Sequence, residues 1–303
     1  MVNSLDGKRI LVTGGTGSLG NKIVETFCCG YQPNKLIIFS RDEFKQSLMQ
    51  KKYDYKCLRY FIGDVRDSRR LKQVCANADI VIHAAALKQV STIEYNPAEA
   101  IRTNIDGTMN VIEACIENDV KKAVFISSDK ACSPINLYGS TKFCGEKLWL
   151  TANSYNRTMF SVVRYGNVVD SRGSVVEHFL RLKEQGITEF PITDKRMTRF
   201  WITKNQAVAL VIGALDMNWS RYPCIPHIPS MKITDLARAI EPECTFKEIG
   251  IRPGEKIHEM LAGENEAVHY GYGWSGHQRG DGAYTSDTNS EWLTSEEFQK
   301  LLK

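Results

Sequence analysis

The sequence predicts an α/β fold, a doubly wound parallel sheet followed by a smaller carboxyl-terminal region. Three observations carry that reading. From the amino terminus to Tyr165, short apolar runs alternate with helix-like segments; a glycine-rich turn directly follows the first run; and beyond Gly166 the rhythm breaks up under Pro191, Pro223, Pro226, Pro229, Pro242 and Pro253. The first is the βαβ repeat of a parallel sheet, whose strands are short and apolar because helices cover both faces.

The expected strands are Arg9 to Val12, Leu36 to Phe39, Tyr60 to Ile62, Ile80 to His83, Ala123 to Ile126 and Phe160 to Val163. This divides the chain into a domain over residues 1–166 and a lid-like region over 167–303, segments of which are free to return to the sheet. Gly271 to Gly282 reads as a mobile glycine-rich loop, and Ser290 to Lys303 as a short terminal helix.

Composition narrows the function. With 303 residues, 43% hydrophobic and 24% charged, the chain is an ordinary globular protein rather than a disordered or fibrous one. The net charge of +4 arises from 39 basic and 35 acidic residues with no lysine-rich run, so nucleic acid is not an expected partner. No secretory leader pattern and no apolar run of about 18 residues is found, which predicts a soluble, cytoplasmic protein without a membrane span. Nine scattered cysteines form neither paired C-x-x-C knuckles nor a disulfide framework, and six dispersed histidines make no H-x-x-x-H pair; no metal is expected.

After the first strand comes Thr13-Gly14-Gly15-Thr16-Gly17-Ser18-Leu19-Gly20, with glycines at the spacing G-x-x-G-x-x-G. The first glycines permit a tight turn and close approach to a pyrophosphate, while Gly20 lets the next helix pack on the sheet with its N-terminus toward the phosphates. This predicts a Rossmann dinucleotide site. After the second strand, Ser40 and Arg41 replace the acidic residue that would bond a free ribose 2′-hydroxyl and offer a hydroxyl and a guanidinium to a 2′-phosphate, with Lys45 as a second cation. The expected cofactor is NADP. Asp42 serves equally as a helix cap. Asp64-Val65, after the third strand, falls where such a fold brings the adenine; a capping Asp64 is the alternative.

Ser127-Ser128-Asp129-Lys130 lies at the carboxyl end of the fifth strand, and Tyr138 and Lys142 follow one turn apart on a helix. A tyrosine near its usual pKa of about 10 is a poor base, but a fixed ammonium beside it favours the phenolate. That is an arrangement for hydride transfer from a carbinol. Alone, Y-x-x-x-K is a common exposed pair; joined to the glycine loop it is specific.

These motifs resemble those of the extended short-chain dehydrogenases/reductases, and most closely those of the inverting UDP-N-acetylglucosamine 4,6-dehydratases. The resemblance runs along nearly the whole chain, through Ile38 to Glu43, His83 to Lys88, Ser128 to Ala131, Arg164 to Val168, Met197 to Ile202 and Arg252 to Lys256. It implies that Tyr138, supported by Lys142, oxidises carbon 4 of the sugar with a tightly bound, recycled NADP. Lys130 then removes the carbon 5 proton while Asp129, directly or through Tyr138, protonates the leaving carbon 6 hydroxyl. For Lys130 to act as a base its pKa must be depressed from about 10.4, and Lys142 and Lys88 are the cations expected to do so.

The resemblance also adds Ala84, Ala85, Ala86, Asn104, Ser127 and Tyr165 to the cofactor site. It assigns Lys88, Asn167, Val175, Thr193, Arg199, Arg252 and Glu255 to the UDP-sugar, with the arginines on the phosphates. Arg199 and Arg252 read equally as surface ion-pair residues. Asp170 departs from the pattern, standing where relatives usually have glycine. The implied product feeds deoxyamino-sugar synthesis of the pseudaminic acid type, and the implied assembly is a homo-oligomer, dimer or hexamer. A retaining dehydratase, a UDP-sugar epimerase and a non-catalytic NADP-binding scaffold or sensor remain the competing readings.

Overall fold

A computed structural model describes residues 5–217, 222–264, 266 and 282–302, together with the backbone of two short strands at Val268–His269 and His277–Gln278. Six strands form one parallel sheet: β1 (Arg9–Thr13), β2 (Lys35–Ser40), β3 (Leu58–Ile62), β4 (Ile80–His83), β5 (Lys122–Ile126) and β6 (Met159–Val163). Their order, β3-β2-β1-β4-β5-β6, is that of a Rossmann sheet. The expected strands are all present, with ends shifted by no more than two residues.

Alternate residues of each strand feed two cores. Ile10, Val12, Ile38, Ile82 and Ile126 face α1 (Ser18–Gly30) and α2 (Glu43–Lys52), with Ile23, Val24, Phe27 and Met49 packed on them. Leu11, Ile37, Phe39, Val81 and Phe125 face the other way, toward α3 (Ser68–Cys75), α6 (Gly107–Glu117) and α7 (Leu137–Thr151), where Leu71, Val111 and Trp149 cover them. Two short helices, α4 (Val90–Tyr95) and α5 (Pro97–Ile101), lead through a π-turn at Arg102–Asp106 into α6.

The second part of the chain has its own core, in which Phe179, Phe190, Trp201, Leu236 and Phe298 meet. It is built from α8 (Val175–Glu184), α10 (Ile233–Ile240) and α11 (Ser295–Leu302) with a three-stranded sheet of β7 (Asn167–Val168), β9 (Thr198–Ile202) and β10 (Ser230–Lys232) and a parallel pair, β8 (Glu189–Ile192) with β11 (Thr245–Glu248). The carboxyl-terminal helix is thus shorter than Ser290 to Lys303. Two pieces rejoin the first sheet: α9 (Lys204–Asp216) places Val208 and Val211 in the core of Ile10 and Val12, and Cys224 pairs beside Val163 on the outer edge of β6. A Thr203–Gln206 capping box starts α9. Four further short strands form two pairs, β12 (Met260–Ala262) with β15 (Tyr284–Thr285) and β13 (Val268–His269) with β14 (His277–Gln278). Most of Gly271 to Gly282 lies outside the described residues. Among the described residues no helix is long and apolar enough to cross a membrane, and no cluster of His, Cys, Asp and Glu could hold a metal ion.

Candidate active site

At the carboxyl ends of the six strands a cleft of about 1030 Å³ separates the first sheet from the second core. Open α/β sheets place ligands there because helix N-termini and strand-end loops converge at the point where strand order reverses. The glycine turn forms one end. Gly14 has φ +66°, and a Cβ on it would lie 2.7 Å from the Ala85 nitrogen; a Cβ on Gly20 would run into the Gly15 carbonyl. No side chain fits at either place. Thr16, Gly17, Ser18 and Leu19 line the cleft with Ala84, Ala85 and Ala86, whereas Thr13 and Asn104 stand behind its wall rather than in it.

These two residues shape the wall. Asn104, in the π-turn, accepts from the Leu87 nitrogen at 2.8 Å and donates to its carbonyl at 2.9 Å, fixing the loop after β4. Thr13 Oγ1 is 2.7 Å from His83 Nδ1 and accepts from the Ala85 nitrogen at 3.4 Å.

Ser40, Arg41, Lys45, Asp64 and Val65 line the far end. Asp42 caps α2, accepting from the Lys45 nitrogen, and its carboxylate pairs with Lys45 Nζ at 2.7 Å; that side-chain bond first, then the backbone one, holds it below the usual range. Asp64 is not a helix cap, a role that falls to Asp67. Its carboxylate instead meets Arg66 at 2.7 Å and Arg41 at 3.4 Å. The two cations expected at a 2′-phosphate therefore rest on acidic neighbours in shallow, exposed pairs, which are weakly held.

The middle of the cleft holds the reactive groups. Asp129 and Lys130 form a single 3₁₀ turn after β5, and α7 follows, started by Asn136, whose side chain accepts from the Gly139 nitrogen at 2.8 Å. A side chain at Gly139 would collide with the Lys130 carbonyl, so this glycine lets α7 lie against the turn. Tyr138 is thereby brought to the dyad. Burial pushes its phenol up, and the Lys130 ammonium and a Ser128 hydrogen bond draw it partly back. Lys130 is thus a cation that acts on Tyr138. Lys142 instead donates to the Ile126 carbonyl at 2.8 Å and sits 4.5 Å above the Phe125 ring, where burial lowers its pKa to about 8.

Lys130 differs most from expectation. Neither Lys142 nor Lys88 surrounds it: its ammonium meets Asp129 at 3.1 Å and Glu259 at 3.0 Å. Burial works to lower it, but those two carboxylates outweigh burial and hold it well above its ordinary range. Asp129 moves up, because burial exceeds the pull of Lys130. The pair is a buried one, with Asp129 1% exposed, and not a solvated surface contact. Tyr165 supports it by accepting from the Asp129 nitrogen at 3.0 Å, and Ser127 faces the cleft with a buried hydroxyl that has no partner.

On the side of the second core Asn167, Val175, Thr193, Arg199, Arg252 and Glu255 all border the cleft. Arg199 does so with its guanidinium already engaged: it donates to the carbonyls of Thr198 at 2.7 Å, Ile257 at 2.9 Å and Lys256 at 2.9 Å. It is neither a surface pair nor a free phosphate clamp. Arg252 is 65% exposed and 3.7 Å from Glu255, whose other carboxylate oxygen is buried without a partner. Lys88 donates to the Arg172 carbonyl at 3.1 Å, and Ser18 Oγ accepts from the Arg172 nitrogen at 3.3 Å, so the 170–174 loop straps the cleft from the second core to α1. Asp170 begins that strap at φ +57°, in the left-handed region that favours glycine, and is pinned by Lys204 at 2.5 Å.

Three residues were not foreseen. Glu259 pairs with Lys130, Ser128 bonds Asp129 at 2.9 Å, and Lys256 donates to the Cys132 carbonyl at 2.7 Å. The run Glu255-Lys256-Ile257-His258-Glu259 carried the signal, a cation between carboxylates just before β12.

With this geometry in hand, residues 10–272 match the polysaccharide biosynthesis protein family, a family of extended short-chain dehydrogenases/reductases. The chain belongs to it. A relative from Campylobacter jejuni, described as UDP-N-acetylglucosamine 4,6-dehydratase (inverting), is 46% identical over 98% of each chain. A UDP-glucose 4-epimerase from Rickettsia canadensis is 39% identical over 86% of this chain and 79% of its own. Among solved structures, Pen from Bacillus thuringiensis matches with a TM-score of 0.90 and 36% identity, covering 99% of this chain and 98% of that one.

Proposed function

We propose that the protein is an NADP-dependent UDP-N-acetylglucosamine 4,6-dehydratase that inverts carbon 5, giving UDP-2-acetamido-2,6-dideoxy-β-L-arabino-hex-4-ulose. The observation that carries the reading is the Asp129–Lys130 pair, buried in the cleft beside Tyr138, in a chain 46% identical to a relative of that description.

The residues present fit a dinucleotide. Gly14 and Gly20 leave no room for side chains at the phosphate turn, Ser127 offers an unpartnered hydroxyl, and Ser40, Arg41 and Lys45 offer a hydroxyl and two cations to a 2′-phosphate. A nicotinamide held by these residues would supply the hydride acceptor for carbon 4 and the hydride donor for carbon 6. Tyr138, as the phenolate that the Lys130 ammonium favours, takes the carbon 4 hydroxyl proton and becomes a neutral phenol. The new ketone acidifies carbon 5, whose proton goes to the Lys130 amine. Asp129, kept protonated more readily by its burial, gives its proton to the carbon 6 hydroxyl, which leaves as water. The UDP moiety lies toward Asn167, Thr193, Arg252 and Glu255, and Arg199 braces the loop that carries Glu255.

Proton NMR of the purified protein with UDP-N-acetylglucosamine in deuterated water tests this. The expected product is a 4-keto-6-deoxy sugar of the L-arabino configuration with deuterium at carbon 5. A product of D-xylo configuration at first appearance overturns inversion. Exchange of carbon 4 configuration without loss of water replaces the dehydratase by an epimerase, the reading that the Rickettsia relative favours.

A further inference from the structure

We propose that Glu259 is the positioning residue for Lys130, fixing its amine and setting the proton balance of the Asp129–Lys130 pair. The inference rests on the dehydratase reading above.

Glu259 immediately precedes β12 and is 2% exposed. Its main chain is fastened on both sides: its nitrogen donates to Ser286 Oγ at 2.9 Å, and its carbonyl accepts from the Ser286 nitrogen at 2.8 Å. Ser286 is in turn 2.6 Å from Thr198 Oγ1. A carboxylate held this way cannot drift. One of its oxygens lies 3.0 Å from Lys130 Nζ, and the other is buried, without a hydrogen-bond partner, in the wall of the cleft. Arg199 at 3.7 Å and Lys256 at 3.9 Å are the other cations that face it.

Lys130 is thereby caught between two carboxylates, Asp129 from its own turn and Glu259 from the segment before β12. Arg199 from β9 and the Tyr138 phenol from α7 are further titratable groups that act on it. An ammonium has three N–H bonds. Two are directed by Asp129 and Glu259, which leaves the third to the cleft.

The reaction needs a base and an acid at once, and this arrangement makes both in one proton shift. Moving a proton along the 3.1 Å bond from Lys130 Nζ to Asp129 Oδ1 turns the ion pair into a neutral amine and a carboxylic acid, with no change in net charge. The amine takes the carbon 5 proton, the electron pair of that C–H bond becomes the carbon 5 to carbon 6 double bond, and the C–O bond at carbon 6 breaks as Asp129 protonates the departing oxygen. The pair ends as the ion pair it was, so the elimination consumes no external acid or base. Glu259 stays ionised throughout, and its charge makes both partners hold protons more tightly. It therefore sets the pH below which the pair gains a second proton and the base is lost.

The experiment is a single-turnover measurement on NADP-loaded enzyme with UDP-N-acetylglucosamine. Reduced-cofactor absorbance rises as carbon 4 is oxidised and decays after the elimination, when hydride returns. For Glu259→Gln the rise should still occur, and the acid limb of the decay rate should move to lower pH by about 1–3 units, the usual effect of removing a charge in contact. A decay profile that superimposes on that of the wild type overturns the proposal. Glu259→Asp keeps the charge but withdraws it: its decay should slow with the acid limb in place, and a wild-type decay rate in this variant would also overturn it. Absence of any rise in the wild-type enzyme is a separate result, which removes the dehydratase reading itself.

Discussion

Lys142 Nζ donates to the main-chain carbonyl of Ile126 at 2.8 Å, which ties the middle of α7 to the last residue of β5. The bond fixes an ammonium in a buried place, above the Phe125 ring, where its charge is costly. Lys142 therefore acts on the geometry of the strand end as well as on charge, while Lys130 draws the Tyr138 phenol down.

From this comes a prediction for carbon 4 oxidation. Lys142→Met should slow the appearance of reduced cofactor by about 10²-fold or more, since both the buried bond and the charge are lost. In the wild type the same rate should decline as pH rises through about 8, where the ammonium is lost. Stopped-flow absorbance from about pH 6 to about pH 10 reads both effects. An oxidation rate in Lys142→Met equal to that of the wild type would remove Lys142 from the chemistry.

Cofactor choice is tested at Arg41, half-exposed and resting 3.4 Å from Asp64. Because that resting pair is shallow, a 2′-phosphate can take the guanidinium over at little cost. Arg41→Glu should weaken NADP binding by about 1.5–3 kcal/mol through lost charge-assisted hydrogen bonds. Isothermal titration with NADP and with NAD separates the cases: NAD affinity should change far less. Equal NADP affinity in the two proteins would place the 2′-phosphate elsewhere.

What could be read from the sequence was local. The strands, the glycine turn and the Tyr138/Lys142 face depend on residues a few positions apart, and periodicity or helix geometry reveals them directly. What could not be read depends on segments that only folding brings together. Glu259 reaches Lys130 across the cleft, and it turns an expected depression of the lysine into the opposite. Arg199 resembles a phosphate ligand until the carbonyls of Ile257 and Lys256 are seen to occupy it. Asp170 looked like a defect in a glycine position, and its left-handed backbone is met by Lys204 from α9.

A stability prediction follows from Arg164, which is 2% exposed. Its guanidinium donates to Glu146 at 2.9 and 2.6 Å, to Glu266 at 2.6 and 3.0 Å and to the Leu261 carbonyl at 2.9 Å. The cluster joins the end of β6, the middle of α7 and the segment after β12. Glu146→Ala leaves a buried cation short of its deepest partner and should cost about 3–5 kcal/mol in denaturant unfolding. Glu266→Ala should cost less, because its carboxylate is 19% exposed and water can replace it. Similar losses from the two variants would contradict this ranking.

The last prediction concerns acid stability and His83, at the carboxyl end of β4. The imidazole is fully buried, stacked 5.6 Å from Trp149, and bonded on both nitrogens: Nδ1 to Thr13 Oγ1 at 2.7 Å and Nε2 to Thr108 Oγ1 at 3.1 Å. Thr108 donates its own proton to the Asn104 carbonyl at 2.6 Å, so Nε2 carries the hydrogen and Nδ1 accepts from Thr13. The ring has no place for a second proton. Burial, reinforced by the Lys142 charge, pulls its pKa down to about 3, against about 6.5 in an unfolded chain. Between these values the unfolded chain binds the extra proton, so stability rises with pH; the contribution is fully present above about 6.5 and is lost as pH falls toward 3, at about 1.4 kcal/mol per unit. His83→Gln removes the titration, and its unfolding free energy should fall less steeply than that of the wild type between about pH 6.5 and 4.5, above the range where carboxylates of ordinary or lowered pKa contribute. Asp129, whose raised pKa acts in the opposite sense, is common to both proteins and cancels in the comparison. Parallel stability curves over that window would mean that His83 takes up its proton in the folded state.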